Sequence, residues 1–574
     1  MDFQKLVEVY EELEKTASGN AMREILSNFF KSVPPEDITI ISYLTLGQIA
    51  SPYEGVVLGM ADKAVLKAIA TAVGTDISKV TKIMHETGDA GLTAEKVLQK
   101  KPQTLVPLGK VTIHELFEKL HKIASSTGTG SQDTKMNILA SLLQKSTPAG
   151  AKYIIKITLG TLRMGVGDMT VLDALAIAFT SDKKNKELLE ARYNICPDLG
   201  IIAQTLIKDG LKGIDKIDIH VGTPIKMMLA QRIEELEEVA KKMPGKVTVE
   251  AKYDGERIQA HKDKKGKITL FSRNLDTITD QFPDLVEYLE KQIDAKEFVL
   301  EGEVIAIDAQ GKPLPFQTLM QRRRKYDIKE FREKIPVQLK VFDLLYLNGK
   351  SYLDVPYYQR SAQLEKIIQV GKHLSLTDRK ITDDIEEMNE FFQKMLQSGY
   401  EGMIIKSRAE DSVYQAGTRG WNWIKWKKEY AKDLSDTFDL VIIGAYHGQG
   451  NRSGKYGAVL CASYNEKENL FETVCKVGTG LTDELLEELP KKLAKYKTDK
   501  KPARVVIKKE MEPNIWFEPK IVIEVLAAEI TKSPYHTCAT GLALRFPRFV
   551  HFRDDKKAEQ ATTSNEIEKM AKKK

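Results

Sequence analysis

The sequence predicts a multidomain α+β protein with an all-α region over residues 1–217, a mixed antiparallel-sheet domain over residues 218–432 and a C-terminal OB-fold β-barrel over residues 433–574. Changes in hydrophobic periodicity predict this division. Apolar residues recur at helical spacing through the first region, and from Val247 onward short β-branched runs alternate with turns. After Ala431 the strands crowd into a small region with one inserted helix. A chain of 574 residues can hold roughly two to four such domains.

Three features predict helices in the N-terminal region. Thr112 and Glu115 in "VTIHELFEKLHKIAS" form a capping box, which starts a helix. Another helix is predicted to begin at Thr170 in "GVGDMTVLDALAIAF". The first helix presents one apolar face at helical spacing, made of Phe3, Leu6, Val7, Tyr10 and Leu13.

Short β-branched segments predict the strands of the two later domains. In the central domain they are "KVTVEAKYDGERIQAH", "KITLFSRN", "EFVLEGEVIAID" and "VQLKVFDLLYLNG". In the last domain they are "FDLVIIGAYHGQGNRSGKYGAVLCASYN", "FETVCKVGTG" and "PKIVIEVLAAEI", with a helix predicted in "TDELLEELPKKLAKY". Five or so short strands with one helix in this last stretch are typical of an OB-fold.

Composition limits the partners and the compartment only loosely. A net charge of +6 and a pI near 8.7 permit a polyanionic partner without requiring one. The four cysteines and nine histidines show no metal-ligand spacing, and no disulfide framework is indicated. The N-terminus is charged and amphipathic, and no apolar run is long enough to cross a bilayer. We therefore expect a soluble, intracellular protein without a membrane partner.

One lysine stands out in the stretch "VEAKYDGERIQAH". If this stretch is a strand, Glu250, Lys252 and Asp254 share one face, because alternate side chains point the same way. The lysine would then lie between two acceptors. The alternative is a strand that ends in an Asp-Gly turn and carries its charges on a solvated face, and the tetrad alone does not separate the two.

A second basic constellation lies in "YQAGTRGWNWIKWKKEY". Trp423, Lys425 and Lys427 alternate with Ile424 and Trp426, so a strand here would project two ammonium groups from one face. Such groups repel each other unless an anion lies between them, which favours an anion site. The alternative is an exposed basic edge strand, although two tryptophans are a poor choice for an exposed edge.

Two carboxylate segments complete the pattern. "FVLEGEVIAID" places Glu301 and Glu303 on one strand face, and "GYEGMIIKS" contains Glu401 and Lys406. A carboxylate in an apolar strand needs a partner, because an unpaired buried charge is very unfavourable. The lysines above or a hard divalent cation would serve. Either partner would gather these strands around one polyanionic site.

The ordered motifs resemble those of ATP-dependent DNA ligases, in particular the archaeal and eukaryotic replicative type. They are "EAKYDGER", "FSRN", "FVLEGEV", "VFDLLYLNG", "EGMIIK", "WIKWKKEY" and "LRFPRFVHFRDDKKAEQATT". The similarity extends through "LRMGVGDMTVLDALA", so it covers nearly the whole chain. It implies an N-terminal DNA-binding domain, a central nucleotidyltransferase (adenylation) domain and the C-terminal OB-fold domain.

The resemblance also implies a reaction and its partners. Lys252 would attack the α-phosphate of ATP and carry AMP, which passes to a DNA 5′-phosphate before the 3′-hydroxyl of the nick displaces it. Lysine is a nucleophile only when its amine is neutral, and neighbouring cations disfavour the charged form. The cofactors would be ATP and Mg²⁺, with Mn²⁺ as a substitute. The partner would be nicked duplex DNA, encircled by a monomer in the cytoplasm or nucleoid.

The resemblance assigns a role to each candidate residue. By motif position, Glu250 would read the adenine amine, Arg257 the ribose and Arg273 a phosphate, while Phe342 would stack on the base and Arg419, Lys425 and Lys427 would contact the nucleotide. Glu303 and Glu401 would hold metal, and Glu301 stands where the family has aspartate. Arg553, Asp555 and Lys556 would orient the leaving pyrophosphate.

Other interpretations stay open at this point. The segment from Gln99 to Leu108 is a candidate for binding a sliding clamp, and "QRRRKYD" from Gln321 to Asp327 is either a DNA-backbone contact or a solvated face. A capping guanylyltransferase or an RNA ligase carries a similar lysine tetrad, but neither typically has a long helical domain before it. A silent DNA-binding scaffold is a further rival, against which every charged motif position is filled.

Overall fold

The computed structural model describes residues 1–99, 110–180, 182–233, 235–323, 332–427, 436–448 and 455–573. The chain divides into two compact units. The first comprises Met1–Arg232 and Val239–Lys425, and the second comprises Ile233–Glu238 and Trp426–Lys574. None of the described helices is long and apolar enough to span a lipid bilayer. The predicted boundaries after residues 217 and 432 stay predictions, and the proposed clamp segment lies outside the described residues except for Gln99.

The N-terminal region of the first unit is helical, as predicted. Its described α-helices are α1 (Phe3–Glu14), α2 (Gly19–Lys31), α3 (Ile38–Thr45), α4 (Asp62–Val73), α5 (Ile77–Thr87), α6 (Ala90–Leu98), α7 (Ile113–Ser125), α8 (Ser131–Lys145), α9 (Pro148–Thr158), α10 (Asp168–Thr180), α11 (Lys186–Ile195) and α12 (Leu199–Asp215). A short 3₁₀ helix, Pro52–Glu54, lies between α3 and α4. The predicted apolar face of α1 is buried in the core of this region.

Local hydrogen bonds set the helix starts. The Thr112 hydroxyl accepts a hydrogen bond from the backbone N–H of Glu115 at 3.1 Å, which caps α7 at the predicted residue and forms one half of the predicted capping box. The carboxylate of Glu115 binds Lys119 and Lys145 at 3.1 and 2.8 Å. Helix α10 begins two residues before the predicted Thr170, because the Gly167 carbonyl already accepts from the N–H groups of the first turn.

Two sheets form the central part of the first unit. Its strands are β1 (Leu229–Arg232), β2 (Val247–Lys252), β3 (Glu256–Lys262), β4 (Ile268–Ser272), β5 (Phe298–Ala306), β6 (Val337–Leu347), β7 (Lys350–Ser351), β8 (Leu374–Leu376), β9 (Arg379–Thr382), β10 (Gly402–Ser407) and β11 (Arg419–Lys427). The accompanying helices are α13 (Glu238–Lys242), α14 (Pro283–Gln292), α15 (Phe316–Met320), α16 (Tyr357–Ile367) and α17 (Ile385–Gln397).

The strand order of the two sheets determines which strands are neighbours at the site described below. One sheet runs β1-β11-β10-β2-β9, and the other runs β4-β3-β5-β6-β7 with β8 beside β6. Of the pairs in these two sheets whose registers are described, only β1–β11 and β6–β8 are parallel, so the predicted mixed antiparallel character is present. One face of β3, with Ile258 and Ala260, packs into an apolar core with α14. The opposite face, with Arg257 and Gln259, carries the polar groups described below.

The second unit is β-rich and contains β12 (Asp436–His447), β13 (Tyr456–Asn465), β14 (Leu470–Val477), β15 (Lys497–Thr498), β16 (Val505–Val506), β17 (Ile515–Phe517), β18 (Val522–Ala527), β19 (Glu529–Lys532), β20 (Leu542–Arg545) and β21 (Arg548–Phe552). Its helices are α18 (Asp483–Leu493), which is the predicted inserted helix, and α19 (Ser564–Lys573). The main sheet runs β15-β17-β12-β13-β14-β16, with β18 pairing both β12 and β21. The structure has more strands than the five or so predicted, because β15, β16, β17, β19 and β20 have only two to four residues each, too few to show a periodicity.

All four cysteines of the chain are free thiols and all are buried. Cys196 lies in the first unit. Cys461, Cys475 and Cys538 lie in the core of the second unit. No disulfide joins any of them, as the composition suggested.

Candidate active site

The candidate site begins where the chain passes from one sheet to the other. Strand β2 ends at Lys252 in the five-stranded sheet, and β3 begins at Glu256 in the six-stranded sheet. Asp254 therefore lies in the connecting turn and not on the strand face that carries Lys252, which corrects the single-strand interpretation. A Cβ on Gly255 would lie 2.2 Å from the carbonyl oxygen of Val304, so only glycine fits in this turn.

Lys252 is held at the end of β2 by its backbone and by its side chain. Its carbonyl accepts a hydrogen bond from the Glu401 N–H at 2.9 Å, and its Nζ forms an ion pair with the Glu401 carboxylate. The two side chains are 22% and 20% exposed, so the amine is fixed yet reachable from solvent. The next residue, Tyr253, is buried and donates to Asp378 at 2.8 Å, which anchors the turn.

Glu303 lies on β5 within the electrostatic field of this lysine. Burial raises the pKa of Glu303 to about 7. Lys252 and Arg257 oppose that shift, while Glu401 and Asp254 add to it. In the part of the chain that the structure describes, no three carboxylate, imidazole or thiol groups form a metal site by themselves. A cation here would therefore need further ligands from a substrate or from water.

Arg257 is held from two sides near the aromatic part of the site. Its Nη2 donates to the Glu301 carboxylate and its Nη1 donates to the Met228 carbonyl, both at 2.7 Å. The guanidinium carbon lies 5.3 Å from the ring centroids of both Phe342 and Trp423. This distance is within the range of cation–π attraction. The guanidinium therefore has a fixed direction before any ligand binds.

Glu301 is a buried partner of Arg257 and differs from Glu303 in this respect. Its carboxylate is inaccessible to solvent and also accepts hydrogen bonds from the Tyr414 hydroxyl at 3.0 Å and from Gln259 Nε2 at 3.2 Å. A buried carboxylate with this many donors is fully compensated. Glu301, which stands where the family has aspartate, therefore supports Arg257. Glu303, in contrast, interacts electrostatically with Lys252.

A buried cage surrounds Glu250 on β2. One carboxylate oxygen accepts from the Tyr357 hydroxyl, and the other forms an ion pair with Lys406 Nζ at 3.0 Å. Lys406 lies 4.7, 4.7 and 4.6 Å from the ring centroids of Phe342, Tyr357 and Trp423. Burial lowers the pKa of Lys406, although Glu250 opposes that effect. The half-buried Phe342 and the buried Trp423 thus form an aromatic wall beside the Glu250 carboxylate.

The remaining predicted cations lie on strand ends. The predicted basic strand exists as β11, and Trp423 and Ile424 are both buried on it. Lys425 is half-buried and belongs to the first unit, whereas Lys427 belongs to the second. Arg419 at the start of β11 and Arg273 just after β4 are exposed, outside the buried contacts around Lys252.

The basic run "QRRRKYD" contains one residue that fits neither sequence interpretation. Arg322 is only 3% exposed and donates to both oxygens of Asp284 at 2.7 and 2.9 Å. It is therefore a structural ion pair and neither a solvated charge nor a DNA contact. The positions from 324 to 327 lie outside the described residues.

The C-terminal motif "RDDK" forms a compact charge cluster within the second unit. Arg553 Nη1 donates to both oxygens of Asp439 at 2.9 and 3.1 Å, and Lys556 Nζ donates to one of them at 2.6 Å. Arg553 also donates through Nε and Nη2 to Asp555 at 2.9 and 2.8 Å. This pairing lowers the pKa of Asp555 to about 2. Asp439 therefore anchors both cations of the motif.

Several supporting residues were missed by the sequence analysis. Tyr357 reaches the site from a segment outside every quoted motif. Tyr414 is the first residue of the quoted stretch "YQAGTRGWNWIKWKKEY" but was given no role, and Asp439 was quoted only as part of a strand. One indication was available: Asp343 interrupts the apolar run "VFDLLYL" and therefore needs a partner. That partner is Arg360 on α16, which donates to both carboxylate oxygens at 2.8 and 2.9 Å.

Three family models match the chain in order. The model described as DNA ligase N terminus matches residues 2–176, the ATP dependent DNA ligase domain matches residues 227–427, and the ATP dependent DNA ligase C terminal region matches residues 452–556. The central match spans the two sheets and every residue described around Lys252. The fold and the matches together define an enzyme of the ligase class.

Full-length relatives specify the family. The chain is 44% identical to DNA ligase 2 of Thermofilum pendens, over 100% of this chain and 97% of that protein. It is also 44% identical to DNA ligase 1 of Methanosarcina acetivorans, over 98% of both. The chain belongs to the family of ATP-dependent DNA ligases, of the archaeal type, and its function is the ATP-dependent sealing of nicks in DNA. A solved structure named Pmar-Lig_Pre. shares the fold at 19% identity, with a TM-score of 0.57 over 96% of this chain and 99% of that one.

Proposed function

We propose that Lys252 is the nucleophile that carries AMP during nick sealing. Its ammonium first releases a proton to solvent, and the neutral Nζ attacks the α-phosphorus of ATP. An N–P bond forms, the bond to the bridging oxygen breaks, pyrophosphate leaves, and the nitrogen loses a second proton to solvent. The AMP then passes to the 5′-phosphate of a nick in duplex DNA, and the 3′-hydroxyl displaces it to form the phosphodiester. The observation that carries this proposal is the position of Lys252, held by Glu401 at the junction of the two sheets and still 22% exposed.

The surroundings of Lys252 support the roles proposed for the nucleotide-binding residues. Glu250, paired with Lys406, accepts from the adenine amine, and Phe342 contacts the base. Arg257 contacts the ribose from its fixed position between Glu301 and the Met228 carbonyl. Arg273, Arg419, Lys425 and Lys427 contribute positive charge to the phosphates, and Arg553, Asp555 and Lys556 orient the pyrophosphate as it leaves.

The carboxylates beside Lys252 fit a magnesium ion. Mg²⁺ takes oxygen ligands and is usually held by one or two carboxylates together with substrate phosphates and water. Glu303 and Glu401 would provide two such carboxylates, and the phosphates of ATP and water would supply the remaining ligands. When bound, the ion would neutralise negative charge on the phosphates. Mn²⁺, with similar ligand preferences, would substitute for it.

The wider organisation is part of the same proposal. The antiparallel β12-β13-β14 meander, with β18 beside β12, supports an OB-fold barrel in the second unit. The protein would act as a monomer on intracellular DNA with 5′-phosphate and 3′-hydroxyl ends at the nick. The segment from Gln99 to Leu108 would be the site for a sliding clamp.

The test is covalent labelling with α-³²P-ATP and Mg²⁺, followed by denaturing electrophoresis. We expect the wild type to retain label that withstands alkali and is released by acid, as a phosphoramidate requires. Lys252→Ala should retain none. Lys264→Ala, which removes an exposed lysine just after β3, should label like the wild type. Label on Lys252→Ala would overturn the assignment of the nucleophile, and a wild type without label after removal of any bound AMP would overturn the covalent mechanism.

A further inference from the structure

The linker between the helical region and β1, residues 219–228, is tied to one face of β3. Arg257, Gln259 and His261 follow one another along this face, and the side chain of each forms a hydrogen bond with the linker backbone. Arg257 donates to the Met228 carbonyl at 2.7 Å, Gln259 accepts from the Ile225 N–H at 2.7 Å, and His261 Nδ1 accepts from the Gly222 N–H at 3.0 Å, so the spacing along the linker follows the spacing along the strand.

Gln259 is the centre of this network, and all of its hydrogen-bonding capacity is used. Its Oε1 accepts from the Ile225 N–H and from His261 Nε2 at 2.8 Å. Its Nε2 donates to the Ile225 carbonyl and to Glu301, both at 3.2 Å. The side chain is inaccessible to solvent. A buried amide with four satisfied bonds fixes the geometry of everything it contacts.

The hydrogen-bond directions in this network are mutually consistent. Because the Gly222 N–H donates to Nδ1 of His261, that ring must carry its proton on Nε2 and donate it to Gln259. Burial lowers the pKa of His261 to about 3, and His220 adds to the effect. The imidazole is therefore neutral and keeps this arrangement in ordinary buffers.

The other side of the linker contacts the helical region. The Lys226 N–H donates to the Asn194 carbonyl at 2.8 Å, and the Lys226 ammonium lies 4.0 Å from the ring centroid of Tyr193 and 3.5 Å from Asp168. The linker thus joins α10 and α11 to the strand that carries Arg257. Gln259 is the point where this linker and the Glu301–Arg257 pair meet.

We propose that Gln259 is a positioning residue that aligns Arg257, through Glu301 and the linker, and so sets the selectivity of the enzyme for the ribose of ATP. The inference rests on the proposed ribose contact of Arg257. Glu301 receives one donor from Gln259 and one from Arg257, and the linker that Gln259 holds provides the Met228 carbonyl for the other end of the same guanidinium. Gln259 therefore supports both anchors of Arg257, together with the Tyr414 hydroxyl, which accepts from the Met228 N–H at 2.9 Å and donates to Glu301 at 3.0 Å.

Replacement of Gln259 by methionine keeps the length of the side chain but removes all four bonds. Both backbone groups of Ile225, Nε2 of His261 and one oxygen of Glu301 each lose a partner in a buried place. Buried polar groups without partners drive local rearrangement. Arg257 is then positioned only by groups that Tyr414 still holds, and we expect its direction to be less tightly fixed. The contacts of Glu250 with Tyr357 and Lys406 do not involve this network.

The experiment compares rates of self-adenylation, as kcat/KM, for ATP, 2′-deoxyATP, 3′-deoxyATP and GTP. The deoxy nucleotide that the wild type uses less well serves as the probe of ribose recognition. For Gln259→Met we expect the preference for ATP over this nucleotide to fall about tenfold, while the preference for ATP over GTP is unchanged. Ile258→Val, a buried change on the opposite face of the same strand, should alter neither ratio. Gln259→Glu is a second variant, which keeps the acceptor toward Ile225 and turns the donor toward Glu301 into an acceptor.

Each outcome decides the proposal. A loss of ribose preference in Gln259→Met and in Arg257→Lys supports it. If only Arg257→Lys loses the ribose preference, the role of Gln259 is overturned and the ribose contact of Arg257 is retained. No loss in either variant overturns the ribose contact and the inference with it. Equal loss of ribose and base preference in Gln259→Met also overturns the inference. If Gln259→Met does not fold, the same results are read from Gln259→Glu.

Discussion

Two glutamates only two positions apart on β5 have different surroundings. Glu301 has no accessible surface and accepts from Arg257, Gln259 and Tyr414, so its charge is compensated within the protein. Glu303 is half-buried, and the nearby carboxylates of Glu401 and Asp254 help raise its pKa to about 7. The first is built for stability. The second stores an unfavourable charge of the kind found at functional sites.

Glu303→Gln should stabilise the metal-free protein above neutral pH. The folded Glu303 keeps its proton up to about pH 7, while in the unfolded chain it loses it near its ordinary value of 4.5. Wild-type stability therefore falls as pH rises through this window, and a glutamine, which cannot titrate, avoids the loss. We expect a gain of about 1 kcal/mol, allowing for partial exposure. Thermal unfolding in EDTA at pH 4.5 and pH 8 would check it, and an equal gain at both values would contradict it.

Asp439→Asn should impair the first step of the reaction selectively. The change keeps the shape of the side chain but removes the charge that holds Arg553 and Lys556 together. If these cations orient pyrophosphate, self-adenylation should slow by about tenfold, while sealing of a pre-adenylated nick should stay within about twofold of the wild type. Asp554→Asn, which alters an exposed carboxylate in the same motif, is the matched control. Equal slowing of both steps would show a general structural role.

At the scale of elements, the sequence predicts strands better than it predicts their junctions. Periodicity correctly places β2, β5, β6 and β11, because each is long and alternates or buries both faces. It leaves open whether the strand ends in an Asp-Gly turn or continues, since the break between β2 and β3 depends on a contact of Gly255 with β5. The sequence also does not predict the partners of Glu250, because Tyr357 lies on a helix more than a hundred residues further along the chain. Such long-range contacts leave no local pattern.

Gly255→Ala should disrupt the junction between β2 and β3. The new methyl group would lie 2.2 Å from the Val304 carbonyl oxygen, so the turn that carries Lys252 would have to move. We expect a loss of about 1–3 kcal/mol in stability and at least a tenfold loss in self-adenylation. Gly167→Ala is a suitable control, because a Cβ there meets nothing within 4 Å. Melting temperature and labelling rate would test both, and normal labelling in Gly255→Ala would contradict the steric argument.

For the whole molecule, DNA binding should depend strongly on salt although the net charge is only +6. A ligase contacts many phosphates, and each contact releases counterions, so the Kd for a nicked duplex should rise about a thousandfold between 50 and 200 mM salt. Self-adenylation without DNA should change far less, because Lys252 and Glu401 are only 22% and 20% exposed and their charges are less screened by salt. Fluorescence anisotropy on a nicked duplex would measure the first quantity. A shallow salt dependence would indicate that few phosphates are contacted.

The burial of all four native cysteines makes the unmodified enzyme convenient for spectroscopy. Maleimide dyes react with accessible thiols, so new cysteines on exposed positions can be labelled without first removing the native ones. One dye on each compact unit would give an energy-transfer signal that follows the distance between the units. The same preparation could then be observed through nucleotide binding, nick binding and release, with the natural core of each unit intact.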